Sequence, residues 1–402
     1  MRSPASRQSR YALDCLNFVV ASVQAGMGTF VAFYLTGLGW SKESVGLALG
    51  TGQIAGVVGQ IPGGAVTDAI TWKRGLAAVG ILMSMGAALI LATAPQFELV
   101  FVAQTLDGLT AAIVPPAIAA ISLGLVGRRA MSSRTGRNYR FAAAGVALTA
   151  IAQGLVGSYL AKNAIFFATA VLCVPALVAL CFIKPDEIDY ARARNASHDK
   201  GAKLESFRQL ARNPTLLSFV LCLMLFQFAE APVLPLLSEN IGMSEAKTAS
   251  LQTAGLIATP QFVVMILAPW VGYLSEEFGR KPLLLLGFGI EVFRSTLFAA
   301  TTDYSFLLVG QFLGGLTSAL VEVLIIVIIT DLTAGTGRFN LVGGTVTMLM
   351  GLASAISVAA SGFVFQMVGH LSTFMIFAGV AGLATICAWF LLPETKPAQY
   401  MD

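Results

Sequence analysis

Five ionisable side chains stand inside stretches that are otherwise apolar: Asp107, Glu230, Glu291, Arg294 and Glu322. An ionisable group in the hydrocarbon of a bilayer costs on the order of 3 kcal/mol or more, so each is a functional candidate. A carboxylate so placed can take up a proton and give it back. Asp107 and Glu230 are the first candidates for that chemistry and Glu322 the next. Glu291 and Arg294 are three residues apart on one helix and can neutralise each other, which reads as a structural pair as readily as a functional one. Glu230 lies in Gln227-Phe228-Ala229-Glu230-Ala231-Pro232-Val233-Leu234-Pro235. The two prolines remove backbone donors there and should break the helix. Asp14, beside Arg10, reads as a local bridge or an acid at a helix start.

A second set of groups is uncharged. Asn17 and Gln24 are seven residues apart and share a helical face, and Gln53 and Gln60 repeat that spacing. Gln104, Gln153, Gln227, Gln261 and Gln311 add further amides. An amide turned to lipid would be unsatisfied, so these side chains should face the protein interior and are candidates to line a solute cavity. Hydrogen bonding between helices explains any one of them alone.

Other chemistry is poorly served. The two histidines, His198 and His370, fall in a charged stretch and in a turn. The cysteines (Cys15, Cys173, Cys181, Cys222 and Cys387) all lie in apolar runs and form no CxxC pair, so they read as small buried hydrophobes. No metal, haem or other cofactor is expected. Nothing resembles a P-loop, a nucleophile elbow or a metalloprotease motif, which argues against an enzyme and against ATP-driven work. No basic cluster suits nucleic acid.

The elements that must position these groups follow from composition. Hydrophobic residues make up 56% of the 402 and charged residues 11%, against about 25% charged in a soluble domain. A helical crossing needs about 20 apolar residues. Continuous, non-alternating runs exclude a β-barrel. About twelve spans are predicted, near 12–36, 44–66, 75–94, 98–125, 139–161, 164–183, 214–238, 247–275, 281–301, 304–330, 340–368 and 371–392. The first follows Arg2, Arg7 and Arg10 and is too long for a signal-peptide core, so it reads as a retained helix.

With the N-terminus placed inside, every lysine and arginine falls in an inside segment except Lys42, Lys162, Lys247 and Arg294. The positive-inside rule thus supports both the count and cytoplasmic termini. The chain divides into an N-terminal six-helix bundle (1–183), a charged cytoplasmic linker (184–213) and a C-terminal six-helix bundle (214–402). Leu204, Phe207 and Leu210 would share one face of a short linker helix, lying on the membrane or simply amphipathic.

The halves carry matching motifs. Gly64, Asp68, Lys73 and Arg74 follow the second span as Gly272, Glu276, Arg280 and Lys281 follow the eighth, about 208 residues later. Gln53 meets Gln261 at the same offset. Gln104 to Thr110 in the fourth span matches Gln311 to Thr317 in the tenth at an offset of 207. Two motifs at nearly one offset indicate a duplication in parallel orientation. Physically, the glycine lets two helices approach closely, and the acid can pair with a basic residue or a helix end.

The stretch Gly272-Tyr273-Leu274-Ser275-Glu276-Glu277-Phe278-Gly279-Arg280-Lys281 resembles the loop signature of the major facilitator superfamily. The resemblance covers essentially the whole chain. The N-terminal copy keeps the glycine, the acid and a basic pair but departs at Ala69, Thr71 and Trp72, where the family has a basic residue, glycine and a basic residue. The resemblance implies an all-α fold of two pseudo-symmetric six-helix bundles that moves a small solute by alternating access. It also implies that the signature gates the inner side, that the fourth, seventh and tenth spans line the cavity, and that the ninth is peripheral. An arginine confined to a peripheral span argues against a strongly anionic solute.

The subgroup is not assigned. Gln104 stands four residues before Gly108 where many proton antiporters of the family have arginine, and Gly145 to Gly157 contains no Gly-Pro pair. Leu392-Pro393-Glu394-Thr395-Lys396 is similar to the tail of sugar porters, and Arg134 to Phe141 resembles a segment of bacterial members. The expected function is secondary active, proton-coupled transport of a small organic solute, with efflux favoured by analogy. Its setting would be a monomer in a bacterial inner membrane. Proton symport of a sugar-like or organic-acid nutrient is the alternative, and a non-transporting membrane sensor is the rival of another class.

Overall fold

An apolar segment in hydrocarbon must satisfy its own backbone, which long helices do. The computed structural model describes residues 5–159, 163–196, 212–242 and 246–396, together with Gln209. The linker segment holding Leu204, Phe207 and Leu210, like Lys162 and His198, lies outside the described residues.

Six long helices come first: α1 (Arg7–Gly37), α2 (Lys42–Ala69), α3 (Lys73–Thr93), α4 (Phe97–Val126), α5 (Met131–Tyr159) and α6 (Ala164–Phe182). A short α7 (Tyr190–Ala193) follows in the linker. The remainder are α8 (Pro214–Glu230), α9 (Val233–Gly242), α10 (Ala246–Phe278), α11 (Lys281–Ala300), α12 (Tyr304–Leu332) and α13 (Phe339–Leu391). Ser6, Ser41 and Asn213 cap α1, α2 and α8 through side-chain oxygens, and Pro214 takes the first position of α8.

Among the described residues, nine helices are long and apolar enough to cross a membrane. The 53-residue α13 is one of these, and Gly369 interrupts it at φ 78 and ψ 178. At 1.5 Å per residue it would otherwise run to about 80 Å, far beyond the roughly 30 Å hydrocarbon core, so it makes two crossings. Helices α1 and α5 have 31 and 29 residues. They are long enough to cross but are diluted by Asp14, Asn17 and Gln24 in one and by Arg134, Arg137 and Arg140 in the other. The pair α8–α9 is one crossing interrupted at Ala231–Pro232. Twelve crossings result, and the chain is an all-α membrane protein.

The contacts form two compact units. Unit 1 holds Met1–Met131, Phe141–Ala202 and Thr333–Thr345, while unit 2 holds Ser132–Arg140, Lys203–Leu332 and Val346–Asp402. In unit 1, α4 packs against α2 and α3, and α6 against α1 and α3. In unit 2, α12 packs against α10 and α11. Lipid-facing surface is apolar, as on α6, where Val171, Val174, Val178 and Phe182 form an exposed stripe.

Candidate functional site

The loop motif of unit 1 joins α2 to α3. Asp68, in the last turn of α2, is buried. Its Oδ1 accepts from the backbone N–H of Asn340 at 3.1 Å and from Asn340 Nδ2 at 2.7 Å, and its Oδ2 accepts from the N–H of Leu341 at 2.8 Å. These amides belong to the first turn of α13, where helix geometry supplies no acceptor. The carboxylate also sits at the positive end of that helix dipole. A Cβ added at Gly64 would lie 2.2 Å from Asn340 O, so only glycine allows this approach. Linker residues adjoin the same turn: Asn340 Nδ2 reaches Ala193 O at 3.3 Å, and Asn195 Nδ2 reaches Thr333 Oγ1 at 3.1 Å.

The basic pair ties other helix ends. Lys73 Nζ donates to Thr67 O in the last turn of α2. Arg74 donates through Nε to Leu180 O at 2.9 Å and through Nη2 to Cys181 O at 3.4 Å, at the end of α6. Unit 2 repeats the arrangement. Arg280 Nη1 donates to Ser275 O, and Lys281 Nζ donates to Trp389 O at 2.7 Å. The carbonyls of Cys181 and Trp389 are 208 residues apart, as are Thr67 and Ser275.

The close approaches repeat as well. A Cβ on Gly272 would lie 2.5 Å from Ser132 O, and Ser132 precedes Asn340 by 208 residues. A Cβ added at Gly344 would clash with Gln60 O, and one at Gly136 with Ala268 O, glycines and partners both again 208 apart. Gly64→Ala and Gly272→Ala should therefore each cost about 1–3 kcal/mol by overpacking. Gly46→Ala, inside the same helix as Gly64 with nothing within 4 Å of the added carbon, should instead stabilise by about 0.4–1 kcal/mol. Thermal unfolding in detergent measures this, and equal midpoints for all three would refute the tight contact.

The two acids behave differently. Glu276 leaves its Oε1 buried without a hydrogen-bond partner, whereas Asp68 uses both oxygens. In unit 2 the polar work falls to Arg280, whose Nε pairs with Asp331 at 3.0 Å, and to Glu394. The Glu394 carboxylate accepts from the backbone N–H of Arg280 at 2.9 Å and of Lys281 at 3.1 Å. Gly279 adopts φ 93, and a Cβ there would lie 2.5 Å from that carboxylate. Sequence reasoning does not single out Asp331, Asn340 or Gly344, and it meets Glu394 and Gly136 only inside the quoted tail and the Arg134–Phe141 segment; applying the 208-residue offset to glycines pairs Gly136 with Gly344.

The membrane charges of unit 2 gather around Arg294. This side chain is 3% exposed and Glu291 is 0% exposed. Arg294 Nη1 lies 3.0 Å from Glu291 Oε2 and 3.8 Å from Glu230 Oε1. Its Nη2 reaches Gln311 Oε1 at 3.5 Å, its Nε has no partner, and its guanidinium carbon lies 5.4 Å from the Phe298 ring centre. Ser295 Oγ donates to Glu291 at 3.3 Å. Glu230 sits at the α8 break with its side chain 32% exposed. Glu322 on α12 is half-buried. Arg294 thus faces α8 and α12 as well as its own helix.

In unit 1, Asp107 is half-buried on α4, with no partner among the described residues. Asn17 bonds its own helix at Leu13 O, Gln24 lines a small cavity with Ser84 and Thr110, and Gln53 is exposed. In unit 2, Gln227 and Gln261 are half-buried. The repeat mates Gln104 and Gln311 are both buried, and each leaves its Nε2 without a partner. Two further mates share a bond: Thr110 Oγ1 donates to Gly80 O at 2.9 Å, and Thr317 Oγ1 to Gly287 O at 3.3 Å.

A duplicated helical unit with this loop motif can be compared with known proteins. The family model described as Major Facilitator Superfamily matches residues 13–258 and again 221–400. The chain belongs to the Major Facilitator Superfamily. An uncharacterized MFS-type transporter of Mycobacterium tuberculosis is 32% identical over 389 residues, covering 96% of this chain and 93% of that protein. The bacillibactin exporter of Bacillus subtilis is 32% identical over 111 residues, about 26% of each chain. Among solved structures, the human organic anion transporter MFSD10 superposes with a TM-score of 0.70 at 16% identity, covering 96% of this chain and 100% of that one. That likeness speaks to the fold. The chain is a membrane transporter of the superfamily, not an enzyme.

Proposed function

We propose that this superfamily member moves a small neutral or cationic organic solute by alternating access, driven by protons and in the direction of efflux. The observation that carries the reading is Glu230, a partly exposed carboxylate 3.8 Å from a buried guanidinium. A proton arriving on Glu230 cancels its attraction to Arg294. Arg294 is left to Glu291 alone, and the change occurs where the helix is already interrupted. Proton binding can drive a conformational change only through such a difference in interaction energy between states.

The sign of the charge supports the solute class. Among the membrane-embedded charges of unit 2, the carboxylates Glu230, Glu291 and Glu322 outnumber the guanidinium of Arg294. With Arg294 already held by Glu291, a strongly anionic solute finds no free cation in this cluster. Similarity to an exporter over about a quarter of the chain favours efflux. The distribution of lysine and arginine favours cytoplasmic termini in a bacterial inner membrane.

The test is flux in proteoliposomes under an imposed pH gradient, screened over cationic, neutral and anionic solutes. Gradient-driven flux should appear for a cation or neutral compound. Glu230→Gln should reduce it by roughly tenfold or more while sparing solute exchange without a gradient, because only the proton-dependent interaction is lost. Flux indifferent to the gradient, to Glu230→Gln and to Asp107→Asn would defeat proton coupling.

A further inference from the structure

A cavity of about 430 Å³ opens at the loop end of unit 1, lined by Trp72, Arg74, Leu177, Leu180, Cys181 and Tyr190 among others. Its size falls in the range of roughly 300–1,000 Å³ usual for small-molecule sites. Arg74 spends Nε and Nη2 on the carbonyls of Leu180 and Cys181, so Nη1 has no protein acceptor among the described residues. Lys73, the other cation, is bound to Thr67 O and balanced by Asp68. Among the described residues, no carboxylate lines the cavity to pair with Arg74.

The internal repeat shows what chemistry belongs beside such a pair. In unit 2 the equivalent position is filled by the Glu394 carboxylate, on the N–H groups of Arg280 and Lys281 where α11 begins. In unit 1 the start of α3 has no side-chain cap. The residue 208 positions before Glu394 is Asp186, which is exposed. Its neighbour Glu187 is engaged by Ser6, whose N–H and Oγ donate at 2.9 and 3.0 Å. One half of the molecule thus supplies its own anion, while the other presents a cation and an open cavity.

We propose that this cavity binds the phosphate of an anionic phospholipid headgroup. A lipid is favoured over free phosphate by what borders the site. The exposed apolar stripe of α6 (Val171, Val174, Val178 and Phe182) runs from it, and Val79 and Leu82 are exposed on α3. These faces would carry acyl chains. Trp72, 68% exposed, and Tyr190 supply the amphipathic rings typical of the headgroup level. Basic pockets between membrane helices bind phosphate headgroups by the same physics.

Native mass spectrometry of the full-length protein in neutral detergent tests this with phosphatidylglycerol and phosphatidylcholine of identical acyl chains. Wild type should retain phosphatidylglycerol preferentially, and Arg74→Gln should lower that retention about fivefold, the worth of one basic residue at an anionic surface. Because Arg74 also tethers α6, Ala78→Leu is the second variant. It narrows the cavity beside Arg74, leaves both cations in place and should lower retention similarly. Arg74→Lys should restore part of it. Equal retention of the two lipids, or no effect of either Arg74→Gln or Ala78→Leu, overturns the site. Displacement of the lipid by millimolar inorganic phosphate would overturn the lipid assignment in favour of a soluble anion.

Discussion

Arg294→Ala should destabilise the folded protein by about 3–5 kcal/mol, because it leaves Glu291 buried without its counter-charge. Glu291 is 0% exposed, and its oxygens keep only the Ser295 hydroxyl once the guanidinium is gone. The cavity left beneath Gly314 adds to the loss, since Arg294 Cζ lies 2.8 Å from where a Cβ on that glycine would be. Removing both charges should be far milder. Glu291→Leu combined with Arg294→Met needs no counter-charge, and Glu230 can turn to water from its partly exposed position. Unfolding midpoints in detergent, with wild type and Arg294→Ala alongside, decide the matter. A double variant as unstable as the single one would show that packing around Arg294, not the buried charge, holds this region.

Asp68→Ala should remove three hydrogen bonds from one buried helix start. Orphaned amides cost about 1–3 kcal/mol in such a place, and the helix dipole loses its countercharge as well. Hydrogen exchange at the Asn340 and Leu341 amides should accelerate by roughly tenfold or more, since about 1.4 kcal/mol is a tenfold change in an equilibrium. Transport should fall with it if breaking and remaking this contact is part of the cycle. Glu276→Ala supplies the contrast. Its Oε1 has no hydrogen-bond partner, so exchange at the start of α5 should change little. Similar acceleration in both variants would mean that the motif acids act by general charge rather than by capping.

The two variants also mark where sequence reasoning reached its range. The Glu291–Arg294 pair was visible because both residues lie on one helix at a spacing set by 3.6 residues per turn. The approach of Glu230, 64 residues earlier in the chain, was not, because it depends on how α8 packs against α11. Asp68 was recognisable by its place after Gly64. Its true partners, two backbone amides and the side chain of Asn340, lie 272 and 273 residues away and carry no signature of their own. Backbone donors look alike in any sequence.

Hydropathy, charge placement and the repeat determined the architecture from the sequence alone. The span expected at 98–125 is α4 at Phe97–Val126, and that expected at 164–183 is α6 at Ala164–Phe182. These features are local: about 20 apolar residues must cross as a helix, whatever surrounds them. The duplication was equally legible from the offset that relates Gln104 to Gln311 and Thr110 to Thr317, and both threonines make the same bond to a glycine carbonyl. Tertiary structure alone decided which copy of a motif does what. It gave Asp68 a helix to cap and left Glu276 without that role. It set Glu394 at the start of α11 while the chain near Asp186 took another course, and it turned Arg294 toward Glu230. Such outcomes depend on distances between segments far apart in the chain. Two copies of one motif, sharing the glycine, the acid and the basic pair, therefore became a helix clasp in one unit and an ion-paired turn in the other.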